Sequence, residues 1–247
     1  MSTPIEAERQ PHATLEITSR RLKAMKIERL LNLKILPQPI KMLEIGCGSG
    51  GIAHYFATHS NLVFQVTAVD VTDNRQVHDD YVYQKVQGVE LPFEDQQFDV
   101  VITNHVIEHV GDAEAQLHHL KEIRRVLKSQ GIGYLAVPNR WMLTEPHYRL
   151  KFLSWWPRKW RSHYLRVMGK GDFYDCEPLE MRELENMLDS VSMSYTNLSI
   201  EGSRATFEIE HSGKLSTKIL AAIPDALLKP LRPLIPTLIY RIGRPDP

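Results

Sequence analysis

The chain carries only two cysteines in 247 residues, Cys47 and Cys176. Neither belongs to a C-x-x-C pair or to a paired Cys/His spacing, so a disulfide framework is excluded and no metal centre is expected. The scarcity suits a reducing compartment, with the cytoplasm as the default. Net charge is missing too. Thirty Lys and Arg balance thirty Asp and Glu, so the whole-molecule field offers nucleic acid nothing, and no nucleic-acid partner is expected. No apolar run reaches the roughly 18 residues of a membrane span, and Met1 to His12 lacks the apolar core of a secretory signal. Peripheral contact at the inner face of a membrane stays open. Internal repeats and low-complexity tracts are also absent.

What the sequence does hold is 43% apolar side chains at ordinary charge density, enough for one substantial core. Thr14 to Leu36 alternates apolar and charged residues at helical spacing and stops before Pro37, predicting an amphipathic helix that caps a sheet. Short strand-like runs follow at 41–45, 63–69, 83–86, 98–103 and 133–137, separated by helix-length segments that include 51–58, 113–128 and a helix opening at Pro178. This alternation predicts an α/β fold with a doubly wound, mostly parallel, Rossmann-like sheet. Ser192 to Ile200 and Ala205 to His211 are predicted as two strands joined by Glu201 to Arg204, an antiparallel C-terminal edge hairpin. The division expected is a domain over 1–213, with a helical, aromatic lid inserted at about 138–176, and an apolar, basic tail over 214–247.

The first motif with chemistry in it is Leu43-Glu44-Ile45-Gly46-Cys47-Gly48-Ser49-Gly50-Gly51, placed where a strand ends and a helix begins. Glycines there let the backbone turn sharply and approach a ligand, and the helix start offers unpaired N–H groups. Gly46, Gly48 and Gly51 satisfy a dinucleotide pattern, whereas Gly46, Gly48 and Gly50 equally satisfy that of an adenosylmethionine site. Asp70, at the end of the second strand, suits ribose hydroxyls in either case. Glu44 separates them. A carboxylate repels a pyrophosphate but attracts the ammonium of S-adenosylmethionine.

Five blocks in order then resemble the class I S-adenosylmethionine-dependent methyltransferases, of the type 11 kind. They are Leu43 to Gly51, Asp70, Leu91-Pro92-Phe93 with Phe98-Asp99-Val100-Val101, Asn104 to Val110, and Leu127 with Gly131. The resemblance covers roughly residues 40 to 140. It implies a methyltransferase with S-adenosylmethionine as cofactor, in which Gly46, Cys47, Gly48 and Gly50 line the methionine and ribose and Glu44 meets the ammonium. Asp70 then holds the ribose hydroxyls, and Asn104 with His105 borders the methionine. Relatives often place an acidic residue before the Leu-Pro-Phe block to hold the adenine amino group. Here Gln87-Gly88-Val89 stands instead, with the Gln87 amide oxygen as the available acceptor.

Several residues have plainer roles. Asp99 is expected to serve a strand start. Cys47, between two glycines, supplies small bulk, since nothing beside it in sequence stabilises a thiolate. His105-Val106-Ile107-Glu108-His109 spells the H-x-x-E-H pattern of a zinc protease, but a protease leaves the glycine loop unexplained. His118 and His119 are expected at solvated helix positions.

The acceptor should be read by residues 138–176, which hold all four tryptophans (Trp141, Trp155, Trp156, Trp160) and, between 140 and 170, Glu145 as the sole acidic residue among eight basic ones. That composition fits a lid over an anionic, partly apolar ligand or a membrane interface, or an exposed cap with its tryptophans buried. The tail from Lys214 mixes leucines and isoleucines with basic residues and prolines, and suits a bilayer, the protein's own core or a dimer contact. If a hydroxyl is methylated, His109, Glu145 or His147 is the candidate catalytic residue. The acceptor is expected to be a small molecule or lipid-linked. Two other classes stay open: a nicotinamide-dependent oxidoreductase, which shares the glycine loop and Asp70, and a non-catalytic adenosylmethionine-binding module.

Overall fold

The computed structural model describes residues 16–210 and 212–245. Helix α1, Ile17–Leu31, buries Arg20, Ala24, Ile27 and Leu31, one stripe at helical spacing, and Asn32 ends it in the left-handed region. A 3-10 turn, Leu33–Ile35, completes the stretch expected as one helix; Thr14 lies outside the described residues. Then come β1 (Ile40–Ile45), α2 (Gly51–Thr58), β2 (Phe64–Asp70), β3 (Val82–Lys85), β4 (Phe98–Asn104), α3 (Ala113–Val126) and β5 (Leu127–Pro138). The lid holds the two-residue strands β6 (Thr144–Glu145) and β7 (Leu150–Lys151) and helix α4 (Arg158–Val167). After it run α5 (Met181–Ser190), β8 (Ser194–Asn197), α6 (Ser199–Glu210), α7 (Leu215–Ala222), α8 (Asp225–Leu228) and β9 (Thr237–Gly243).

The main sheet has seven strands in the order β3-β2-β1-β4-β5-β9-β8. Strands β1 to β5 pair in parallel, and β9 lies antiparallel to both β5 and β8. Side chains alternate across it. Leu43, Val101 and Leu135 face α3 and α5, where Leu120, Ile123, Leu184 and Leu188 are buried. Met42, Val100, Ile102 and Tyr134 face α1 and α2, against Ala24, Ile27, Ile52 and Phe56. A sheet covered on both faces explains why β4 is buried at every position and reads as a continuous apolar run.

The antiparallel edge is present, but one of its expected strands is not. Ser194–Asn197 pairs with Thr237–Gly243 from the tail, while Ala205 to Glu210 belongs to α6. The alternation Ala205-Thr206-Phe207-Glu208-Ile209-Glu210 imitated a strand. In the fold Ser199, Ile200, Gly202 and Ala205 supply the buried face of a helix instead. Gly202 packs so closely on Ile239 that a side chain there would collide with it. His211 lies outside the described residues. The tail from residue 214 has no buried residue in α7, α8 or the 3-10 turn Lys229–Leu234, and then enters the sheet as β9. Among the described residues no helix is long and apolar enough to cross a membrane.

Candidate active site

The carboxyl ends of β1, β2 and β4 meet where the strand order reverses, the crevice in which open α/β sheets bind ligands. Gly46 and Gly50 both have positive φ, 72° and 78°. A Cβ at Gly46 would strike the Val106 side chain and one at Gly50 the Tyr81 hydroxyl, so both positions exclude side chains by conformation and by space. Asp70 Oδ2 accepts from the Gly48 amide at 2.8 Å and Oδ1 from Thr72 at 3.3 Å. Residues 71–81 wrap back over the loop, with the Gln76 and Val77 amides donating to the Ser49 carbonyl.

Glu44 sits beneath this loop and is buried. Burial pushes its pKa up to about 8, and the Asp70 charge adds to this against the opposing effects of Arg20 and the Ala53 amide. Its Oε2 has no hydrogen-bond partner. A buried carboxyl with an unmatched oxygen beside a backbone cradle fits a ligand that carries a cationic ammonium. Cys47 is buried and its thiol is pushed up, first by burial and then by Glu44 and Asp70, so its part is bulk and not reactivity. Gln87 and Gly88 are exposed after β3; Gln87 lines a cavity of about 290 Å³ with Leu91 and Pro92.

Past β4 the chain turns sharply. Asn104 is buried, and His105 adopts φ 59°, its amide donating to the Ala136 carbonyl at 2.9 Å. Ile107–His109 is a single 3-10 turn, so His105 and His109 do not share an α-helical face and the protease pattern has no geometry here. Both approach the buried Glu108: His105 Nδ1 at 3.3 Å and His109 Nε2 at 3.9 Å from Oε1. Burial alone would raise Glu108, but the two imidazoles outweigh it and hold the carboxyl below its usual range.

The lid returns across this turn. Asn139, fully buried, donates to the Pro233 and Ile235 carbonyls and so ties the end of β5 to the tail. The β6/β7 pair and a small core of Leu150, Leu153, Leu165 and Tyr174 then fix the lid's inner face. On that face Glu145 is buried, its Oε1 lying 2.7 Å from His147 Nδ1, while its Oε2 accepts from the Tyr148 amide at 2.7 Å. Burial alone would lower His147, but its hydrogen bond to Glu145 and the neighbouring carboxylate charges outweigh this and raise it. Cys176 Sγ stands 3.7 Å from both His109 Nδ1 and His147 Nδ1, and the two imidazole rings meet edge to face at 5.4 Å.

The structure therefore brings His109, Glu145 and His147 together, and gathers Glu44 to Gly50, Asp70, Asn104 and His105, the residues expected to meet the cofactor, at the carboxyl ends of β1, β2 and β4. Two histidine readings need correcting or extending. His119 is not solvated: it is buried beneath β4 with Nε2 3.2 Å from Thr103 Oγ1, and burial lowers its pKa to about 4. His118 is exposed as expected. Cys176 was missed, because nothing in its sequence neighbourhood ties it to residues 67 and 29 positions earlier. The tryptophans are not buried: all four lie 36–50% exposed. Asp99 does anchor its strand, accepting from the Lys41 amide and pairing with Lys128 at 2.7 Å.

A parallel sheet whose sixth strand, β9, runs antiparallel between β5 and β8, with a glycine cradle over a buried carboxyl, is the Rossmann-like fold of class I methyltransferases. Residues 43–135 match the methyltransferase domain family. Over that stretch the chain resembles the S-adenosylmethionine-dependent methyltransferases, and S-adenosylmethionine is the cofactor this resemblance supports. It is similar to a ubiquinone biosynthesis O-methyltransferase of Rickettsia akari, 25% identical over 60% of this chain and 62% of that protein. It is also similar to the 27-O-demethylrifamycin SV methyltransferase of Amycolatopsis mediterranei, 30% identical over 51% of this chain and 49% of that one. The matched stretches thus span less than two thirds of either relative. Among solved structures, the Haemonchus contortus phosphoethanolamine N-methyltransferase 2 in complex with S-adenosyl-L-methionine shares the fold with TM-score 0.52 and 18% identity, over 92% of this chain and 53% of that one. The family match favours a methyltransferase over an oxidoreductase.

Proposed function

We propose that the protein transfers the methyl group of S-adenosylmethionine to a hydroxyl of an amphipathic or lipid-linked acceptor presented at a membrane surface. The donor's sulfonium supplies an already activated methyl group, so the chain's task is to hold the acceptor oxygen in line with it. Glu44, Gly46, Gly48, Gly50, Asp70, Asn104 and His105 hold the donor, with Gln87 and Gly88 on the adenine side. His109, Glu145 and His147 are the proposed catalytic residues: they face the acceptor, orient its hydroxyl and carry its proton away. The names of the O-methylating relatives support an oxygen acceptor.

The observation that carries the amphipathic reading is the outer surface of the lid. Trp155, Trp156 and Trp160 are 42%, 48% and 50% exposed, on or beside a helix bearing Arg158, Lys159 and Arg166. Exposed Ile219, Leu227, Leu231 and Leu234 extend the apolar surface along the tail. Amphipathic aromatics among basic groups suit the interface of an anionic bilayer. With methyl-labelled S-adenosylmethionine and a lipid extract, label should enter the organic phase as a methyl ether. The protein should also sediment with phosphatidylserine vesicles at low salt, less so as salt shortens the reach of surface charge to about 10 Å at 0.1 M, and much less when Trp156 and Trp160 are alanine. Label confined to water-soluble product, with no vesicle binding at low salt, would instead favour a soluble acceptor, the reading that the rifamycin-methylating relative supports.

A further inference from the structure

We propose that His109, His147 and Cys176 form a zinc(II) site with one open coordination position, facing the acceptor under the lid. One ligand atom from each residue falls in a set whose members all lie within 4.8 Å of one another. The three come from separate places, the turn after β4, the β6/β7 hairpin and the segment before α5, so no local sequence constraint brings them together. Tetrahedral zinc, with Zn–S near 2.3 Å and Zn–N near 2.05 Å, places sulfur and nitrogen ligands about 3.5 Å apart. The Cys176 Sγ to His109 Nδ1 separation is 3.7 Å, near that spacing; His147 Nδ1 is also 3.7 Å from the sulfur but is held by Glu145, so it is the other nitrogen of this neighbouring ring that would ligate.

The surroundings are those of a metal site. Each imidazole has a buried carboxylate near it: Glu145 Oε1 at 2.7 Å from His147 Nδ1, and Glu108 Oε1, which His105 also approaches at 3.3 Å, at 3.9 Å from His109 Nε2. Both carboxylates are 0–1% exposed. Carboxylates behind ligating histidines fix the ring and raise its basicity. With Nδ1 of His147 on Glu145, its Nε2 carries the lone pair. Two imidazoles and one thiolate are a borderline-soft set that selects zinc among common divalent ions over magnesium or calcium. Three protein ligands leave the fourth position to water or to an acceptor oxygen, the arrangement of catalytic zinc. Binding replaces the Cys176 S–H bond with S–Zn, and the proton leaves to solvent. The site stands without the hydroxyl-acceptor reading; only its use in methyl transfer rests on that reading, and with zinc bound His109 and His147 act as ligands, so the acceptor's proton would leave to Glu145 or solvent and not to either imidazole.

The test titrates chelator-treated full-length protein with cobalt(II) in a non-thiol reductant. One equivalent should bind and produce a thiolate-to-cobalt charge-transfer absorption, abolished by one equivalent of zinc. Cys176→Ser should lose this absorption and Cys47→Ser keep it. Glu145→Gln, which leaves all three ligands in place, should weaken binding about 10–100-fold. A folded wild type that shows no charge-transfer band, or a band that survives Cys176→Ser, overturns the site. A band that depends on Cys176, alongside methyl transfer indifferent to chelation, confirms the site and removes only its catalytic use.

Discussion

The crevice proposed to hold the cofactor and the cluster beneath the lid are built in opposite ways. Glu44, Gly46, Gly48 and Gly50 come from seven consecutive residues, and Asp70 reaches them from the adjacent strand through its bond to the Gly48 amide. The lid cluster takes His109, Glu145, His147 and Cys176 from three stretches, held by the β6/β7 pair, a small core of its own and the Asn139 tie to the tail. One region is set by backbone conformation, the other by side chains meeting across loops. Damage to the first should therefore be felt through the backbone and the fold, damage to the second through chemistry alone.

Gly46→Val sharpens this contrast most. The residue has φ 72° and a Cβ there meets Val106. A positive φ imposes about 1–3 kcal/mol on a branched residue, and overpacking adds about 1–3 kcal/mol more. Thermal unfolding should show the loss in stability, and calorimetry the loss of S-adenosylmethionine binding; a variant as stable as wild type, with cofactor affinity intact, would break the contrast.

The sheet half should also carry the acid sensitivity of the fold. His119 is buried with a pKa lowered to about 4, against about 6.5 in the unfolded chain. Between these values the unfolded chain takes up a proton that the folded protein refuses. Stability is therefore full above about pH 6.5, falls as pH drops, and is lower by about 3 kcal/mol once pH is below about 4. Urea unfolding across this window should show a steeper loss for wild type than for His119→Gln. Equal slopes would remove His119 as the cause.

The same difference decides what could be read without a structure. Glycine spacing, the strand-ending Asp70 and the apolar runs of β1 and β4 are local signals, and they placed the sheet and the loop that ends β1. Signals of period two misled at Ala205 to Glu210, where partial burial on every side of residues 206–209 shows there was no two-faced strand to form. That β9 would come from the tail depended on Leu238, Ile239, Tyr240 and Ile242 finding an open sheet edge, which tertiary packing decides. Because the tail supplies a sheet strand, the membrane surface must be probed by point substitutions in the lid and not by truncation. Cys176 and the burial of His119 likewise depend on which helix and which loop cross the sheet ends.

Calorimetric titration of S-adenosylmethionine into wild type, Asp70→Ala and His147→Asn tests the separation of the two regions most directly. Removing the Asp70 carboxylate leaves hydrogen-bond donors unmatched and should weaken binding by about 1–3 kcal/mol, roughly ten- to a hundredfold. His147→Asn should bind the cofactor within about twofold of wild type, inside the scatter of substitutions that touch no ligand, while losing methyl transfer. If His147→Asn loses cofactor affinity as Asp70→Ala does, or Asp70→Ala binds like wild type, the crevice and the lid cluster are one site and their separation is contradicted.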